Sequence, residues 1–168
     1  MISISLRARF VLNDATVAVE DFLSTPEHDD RRWRARYAAA IALLRTVGSV
    51  LHFEDSKQSA KLRAEIHRRW QLWKENPTEH FTFHHVIKGE RDRVLHHYKH
   101  GWSSMEMTSG TIRLTLSDGR TVEQAIPPGS TLQFAVKPEF EGLWPSQALV
   151  ASVLWWQREL VGIERAIG

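Results

Sequence analysis

Trp33, Tyr37, Ala40, Ile41, Leu44, Val47, Gly48 and Leu51 recur at three- and four-residue intervals. That spacing lays one apolar stripe along an α-helix and does not fit a strand, whose faces alternate every second residue. A stripe this long needs helical partners, because a lone helix gains little stability from its own hydrogen bonds. The chain offers them. Leu62, Ile66, Trp70 and Trp73 mark a second helix that stops before Asn76-Pro77. Residues 2–12 alternate as a strand would, but Ala8, Val11, Leu12, Ala15, Val19, Phe22 and Leu23 form a longer helical stripe. The expected helices are therefore 5–24, closed by Thr25-Pro26, then 29–55, capped by Asp29 or Asp30, then 57–75, opened by Ser56. Gly48 costs about 1 kcal/mol against Ala unless a second helix approaches closely there.

A fourth helix is expected over 79–100, with Thr78 as cap and Glu79 in its first turn. Its stripe runs through Ile87, Val94, Leu95 and Tyr98, and Arg91 falls inside it. A guanidinium at such a place faces packed protein, a partner subunit or a ligand. Beside it runs a polar stripe of His85, Gly89, Asp92, His96 and His100. No other part of the chain puts so much ionisable chemistry near an apolar face. Short connections favour antiparallel neighbours.

After Gly101 the period changes to two. Ile112, Leu114 and Leu116 alternate, Ser117-Asp118-Gly119 is a hairpin turn, and Val122 to Ile126 is the return strand. Pro127-Pro128-Gly129 breaks the chain before a third alternation, Leu132, Phe134 and Val136. Trp144-Pro145-Ser146 then opens a helix carrying Leu149, Val153, Trp156, Leu160 and Ile167 on one side. The whole reads as one mainly α domain over 1–168. It has an antiparallel four-helix bundle over 5–100, a small antiparallel β-hairpin insertion over 104–137 and a C-terminal helix over 145–168.

A hydrophobic content of 42% with seven Trp marks a globular chain. With no cysteine, disulfides, thiolate zinc sites and a Cys nucleophile are excluded. The missing cysteines fit a reducing compartment; neither a signal peptide nor an apolar run of about 20 residues is visible, so a cytoplasmic protein is expected. The net charge of +2 is too small to announce a nucleic-acid binder. Basic residues do cluster at Arg31, Arg32, Arg34 and Arg36, at Arg63, Arg68 and Arg69, and at Lys88, Arg91 and Arg93. They make either one basic face or separate solvated ones.

The run Arg91-Asp92-Arg93-Val94-Leu95-His96-His97-Tyr98 resembles the signature of the HEPN superfamily: an Arg, often followed by a polar residue, and a His after four to six positions. It also matches the narrower Arg-x4-His-x-Tyr form of HEPN toxins paired with a nucleotidyltransferase antitoxin. The resemblance covers about 5–100 and is silent on the β insertion. It implies a HEPN-like helical bundle, usually a homodimer, that cuts RNA without a metal or other cofactor in a toxin or defence role. By position, Arg91 and His96 would be the catalytic pair, Asp92 the polar neighbour and Tyr98 the adenylylation target. Lys88, Arg93, His97 and His100 lie around them as candidate substrate-binding residues.

Those residue types suit the chemistry. Metal-free cleavage uses the RNA 2′-hydroxyl as nucleophile, so it needs a proton carrier, the role of a His titrating near neutrality. It also needs a cation for the charge on the phosphorane, and the Arg fork matches phosphate oxygens. Five residues on a helix rotate by about 140°, so Arg91 and His96 diverge, and a two-fold interface would bring copies together. Other readings stand beside this one. Arg91 with His97, or Arg93 with His100, also fits the loose spacing. Arg91 held by a helix end or a carboxylate, with solvated histidines, would leave a non-catalytic module binding a protein or nucleotide. His80 and His84, like His96 and His100, have the i, i+4 spacing of metal ligands, without an adjacent Glu. Trp70, Trp73 and Trp156 fall on core stripes; Trp155 is undecided between core and base stacking.

Overall fold

The computed structural model describes residues 5–25, 30–97, 99–107, 110–115, 121–126, 130–135 and 137–168. The chain is mainly helical: α1 Arg7–Leu23, α2 Asp30–Phe53, α3 Ala60–Glu75, a π-helix Thr82–Glu90 running into α4 Arg91–His97, and α5 Pro145–Ile167. The helical reading of the N-terminal segment prevails over the strand from Arg7 onward, because Ala8, Leu12, Ala15, Val19 and Phe22 all go inside. Ile2, Ile4, Asp29 and Tyr98 lie outside the described residues, as do the turn at 117–119 and the break at 127–129.

Side-chain contacts set the helix directions. The start of α1 is held by the turn that follows α2: Asp55 is fully buried and accepts the Arg7 and Ala8 backbone N–H groups at 2.8 and 3.0 Å. At the other end, Phe22 of α1 packs edge-on to Trp33 near the start of α2. These helices are antiparallel. Arg9 pairs with Glu164 and Lys61 reaches the Ile167 carbonyl, so α1 and α3 both run against α5. Ser59 caps α3 by accepting the Leu62 N–H at 3.1 Å.

The C-terminal helix, which the sequence sets apart from the bundle, is embedded in it. Ala148, Leu149, Val153, Trp155, Trp156, Leu160 and Ile163 are buried. Trp156 donates to the Leu44 carbonyl at 2.8 Å. A Cβ at Gly48 would meet the Trp156 ring at 3.0 Å, so this glycine admits α5. Buried Glu159 accepts from Trp73 Nε1 at 3.0 Å and Arg69 Nη1 at 2.9 Å, satisfying the indole at the centre of the core. Trp155 stacks on Phe83, which makes it a core residue. No helix among the described residues is long and apolar enough to cross a membrane.

Between α4 and α5 the chain runs in four extended segments: β1 Trp102–Met107, β2 Gly110–Thr115, β3 Thr121–Ile126 and β4 Ser130–Ala135. β1 pairs antiparallel with β4, Trp102 opposite Ala135, and β2 pairs with β3, Gly110 opposite Ile126. The β1 segment is one that the alternation at 112–136 does not announce. Leu116 and Val136, assigned to strands from sequence, lie outside the described residues.

Candidate functional site

The fourth helical segment is not the regular α-helix expected over 79–100. Thr78 and Glu79 lie in a turn, and helix begins at Phe81. Thr82–Glu90 is π-helical, and only Arg91–His97 is α. In a π-helix each N–H reaches back five residues, so a segment holds more residues per turn and rotates the helix beyond it. The inward positions become Phe83, Val86, Ile87 and Glu90, followed by Val94. Arg91 is therefore displaced from the apolar stripe, its side chain one-third exposed. Leu95, also expected inside, is 48% exposed.

The buried charge is Glu90. Its carboxylate accepts the Gly101 N–H at 2.7 Å and the Arg93 fork, Nε at 2.9 Å and Nη2 at 2.7 Å. Burial pushes this carboxyl above the usual range, against the pull of Gly101 and Arg93. The Tyr37 hydroxyl faces the same carboxylate outside hydrogen-bond geometry, and burial plus that charge raise it well above its ordinary value. Gly101 has to be glycine: a Cβ there would overlap the Phe140 ring and lie 3.0 Å from the Glu90 carboxylate. Arg93 completes the cluster, over Phe140 at 5.2 Å and 3.8 Å from Glu139.

On the outer side of α4, Arg91, Asp92 and His96 meet. Arg91 Nη1 donates to Asp92 Oδ1 at 2.8 Å and lies 3.3 Å from His96 Nε2. The expected divergence of the two motif side chains does not occur, because the long Arg stem curls back along the helix within one chain. Because a guanidinium can only donate, this contact is a hydrogen bond in the tautomer of His96 that carries its proton on Nδ1. Only Nη1 of Arg91 is engaged by described residues, so Nε and Nη2 remain to meet an anion.

The other candidates separate. His97 is exposed, its ring 6.5 Å from that of His96, and Lys88 is exposed. Arg93 is committed to Glu90. His100 turns away and packs edge-on against Trp33 and Tyr37 at 5.8 and 5.7 Å. Of the paired histidines, His84 Nε2 contacts the Trp73 carbonyl at 2.7 Å, and His80 is buried edge-on to Trp155. Among the described residues no three His, Asp or Glu side chains converge to hold a metal ion.

Two residues of the region escape sequence reasoning. Glu90 is one. Its position three after Ile87 and four before Val94 fits the stripe as well as that of Arg91. The other is Arg45 on α2, the residue that ends the apolar run Ala38 to Leu44. Its guanidinium lies over the Trp70 ring at 5.7 Å, and its buried Nη1 has no hydrogen-bond partner among the described residues. Burial, then the charge of Arg91, draw its pKa below the ordinary value, with Asp92 opposing.

Comparison of the chain with protein-family models, with curated proteins and with solved structures finds no match.

Proposed function

We propose that the chain is a HEPN-like, metal-independent endoribonuclease of the cytoplasm, working as a homodimer in a toxin or defence role. The observation that carries the reading is the contact of Arg91 with His96 within a single chain, beside Asp92. His96 Nε2 takes the proton of the RNA 2′-hydroxyl, and the 2′-oxygen attacks phosphorus. Arg91 transfers from the imidazole to the phosphorane oxygens, and Asp92 limits the directions its fork can take. The P–O5′ bond then breaks, the leaving oxygen takes a proton from the imidazolium or water, and a 2′,3′-cyclic phosphate remains. A nucleotidyltransferase-type antitoxin acting on Tyr98 belongs to the same reading. The helical bundle with its β-hairpin insertion is, on this view, an elaborated HEPN fold.

The deciding experiment compares wild type with His96→Ala on single-stranded RNA in EDTA. Cleavage by wild type alone, ending in 2′,3′-cyclic phosphate, is the expected result. Equal rates, or no cleavage by either, would favour a non-catalytic module that binds a protein or nucleotide. That second reading has its own support, since Arg91 already holds a carboxylate.

A further inference from the structure

Arg45 is hard to account for as part of the scaffold. It stands on α2, a helix packed against both α3 and α4, half-buried over Trp70 of α3, with no hydrogen-bond partner among the described residues for its buried Nη1. A buried guanidinium normally has a carboxylate or carbonyl to satisfy its five donors. The indole of Trp70 beneath it offers a π face and no acceptor. Its charged neighbour on α4 is a second guanidinium, Arg91, which opposes its charge, while Asp92 offsets only part of that repulsion. An unpartnered buried donor on α2, packed against the helix that carries Arg91, is what a phosphodiester would satisfy, since its two free oxygens can each take a fork.

We propose that Arg45 is a second phosphate-binding residue of the Arg91–His96 site and that the backbone of single-stranded RNA passes between α2 and α4. This rests on the reading of that site as one for RNA. Arg45 positions substrate, while the reacting atoms belong to Arg91 and His96. The strand has a surface to follow beyond Arg45. The His52 ring lies 5.6 Å from Trp70, tilted by 33°, on the face of α2 two turns after Arg45, and Phe53 beside it is 63% exposed. Exposed rings beside a cationic backbone site are what unpaired bases stack on.

The test uses a 2′-O-methyl single-stranded 12-mer, which cannot be cleaved, and reads binding by fluorescence anisotropy at several salt concentrations. Arg45→Met should weaken binding by about tenfold and lower the slope of log K against log salt by about 0.7. Its thermal midpoint should equal or exceed that of wild type, because an unsatisfied buried donor is removed. Arg45→Gln should give the same loss of affinity from a side chain that stays polar. On cleavable RNA both variants should raise KM far more than they lower kcat. Binding within twofold of wild type in both variants, or no binding by the wild type, overturns the proposal. A protein that cleaves, with KM indifferent to Arg45, loses this inference and keeps the enzyme. One that binds through Arg45 and never cleaves does the opposite.

Discussion

Arg91 and His96 touch across five residues of one helix, Nη1 lying 3.3 Å from Nε2. A second subunit is therefore not needed to assemble the pair. The resting contact also blocks the histidine: the lone pair that would accept a proton faces an arginine donor. On the proposed reading, phosphate binding would draw the guanidinium away and release Nε2, tying activation of the base to substrate binding.

His96→Ala and Arg91→Ala should each lower RNA cleavage by about 100-fold or more. Both side chains stand outside the core, so the thermal midpoint should stay within about 3 °C of wild type. Arg91→Lys should recover little activity, because an ammonium cannot serve Asp92 and a phosphate with one planar fork. Steady-state rates beside circular-dichroism melts check all three variants.

Glu90→Ala should destabilise the fold by about 3–5 kcal/mol, since it leaves Arg93 and the Gly101 N–H buried without their acceptor. Glu90→Gln keeps one carbonyl oxygen and should cost clearly less. Urea titration distinguishes the two. Equal losses would mean that the carboxylate is not the organising group of this corner.

Asp55 closes the first turn of α1 from 47 and 48 residues away. Asp55→Ala should cost about 1–2 kcal/mol, the usual range for a lost helix cap, and exchange of the Arg7 and Ala8 amide hydrogens should accelerate. Unchanged protection at both amides would count against the tie.

Burial, helped by the charge of Arg34, holds His100 below the ordinary imidazole value. As pH falls, the unfolded chain protonates first. The stabilising contribution is thus complete above the unfolded value of about 6.5 and is lost on acidification below it. Wild type should lose more stability between pH 7.5 and 5.5 than His100→Phe does. Parallel losses in denaturant titrations would refute this account.

Sequence makes α1, α2 and α3 legible because their stripes are long and keep one period from end to end. The π-helix is not legible: the residue spacing of 82–90 accommodates α or π hydrogen bonding, and packing against α5 and α2 accompanies the choice. An α-helical period therefore takes Arg91 into the stripe and passes over Glu90. Arg91, Asp92 and His96 are readable as a set from their order. Arg45 is not, since nothing local distinguishes a solvated arginine at the end of an apolar run from one half-buried over a ring of the next helix. His100 shares a helical face with His96 only on a helix that continues that far. This one ends at His97.

The wide turns before Arg91 mean that the fourth segment carries slack. Removing one residue, Lys88 for instance, could be absorbed by a change from π to α hydrogen bonding with no break in the helix. Residues downstream would then keep their phase, with Glu90 still facing Gly101 and Arg91 still beside His96. The wide turns thus buffer the phase of the motif against loss of a residue, whereas a deletion inside the regular helix after Arg91 has no such turn to absorb it and would swing His96 by about 100°.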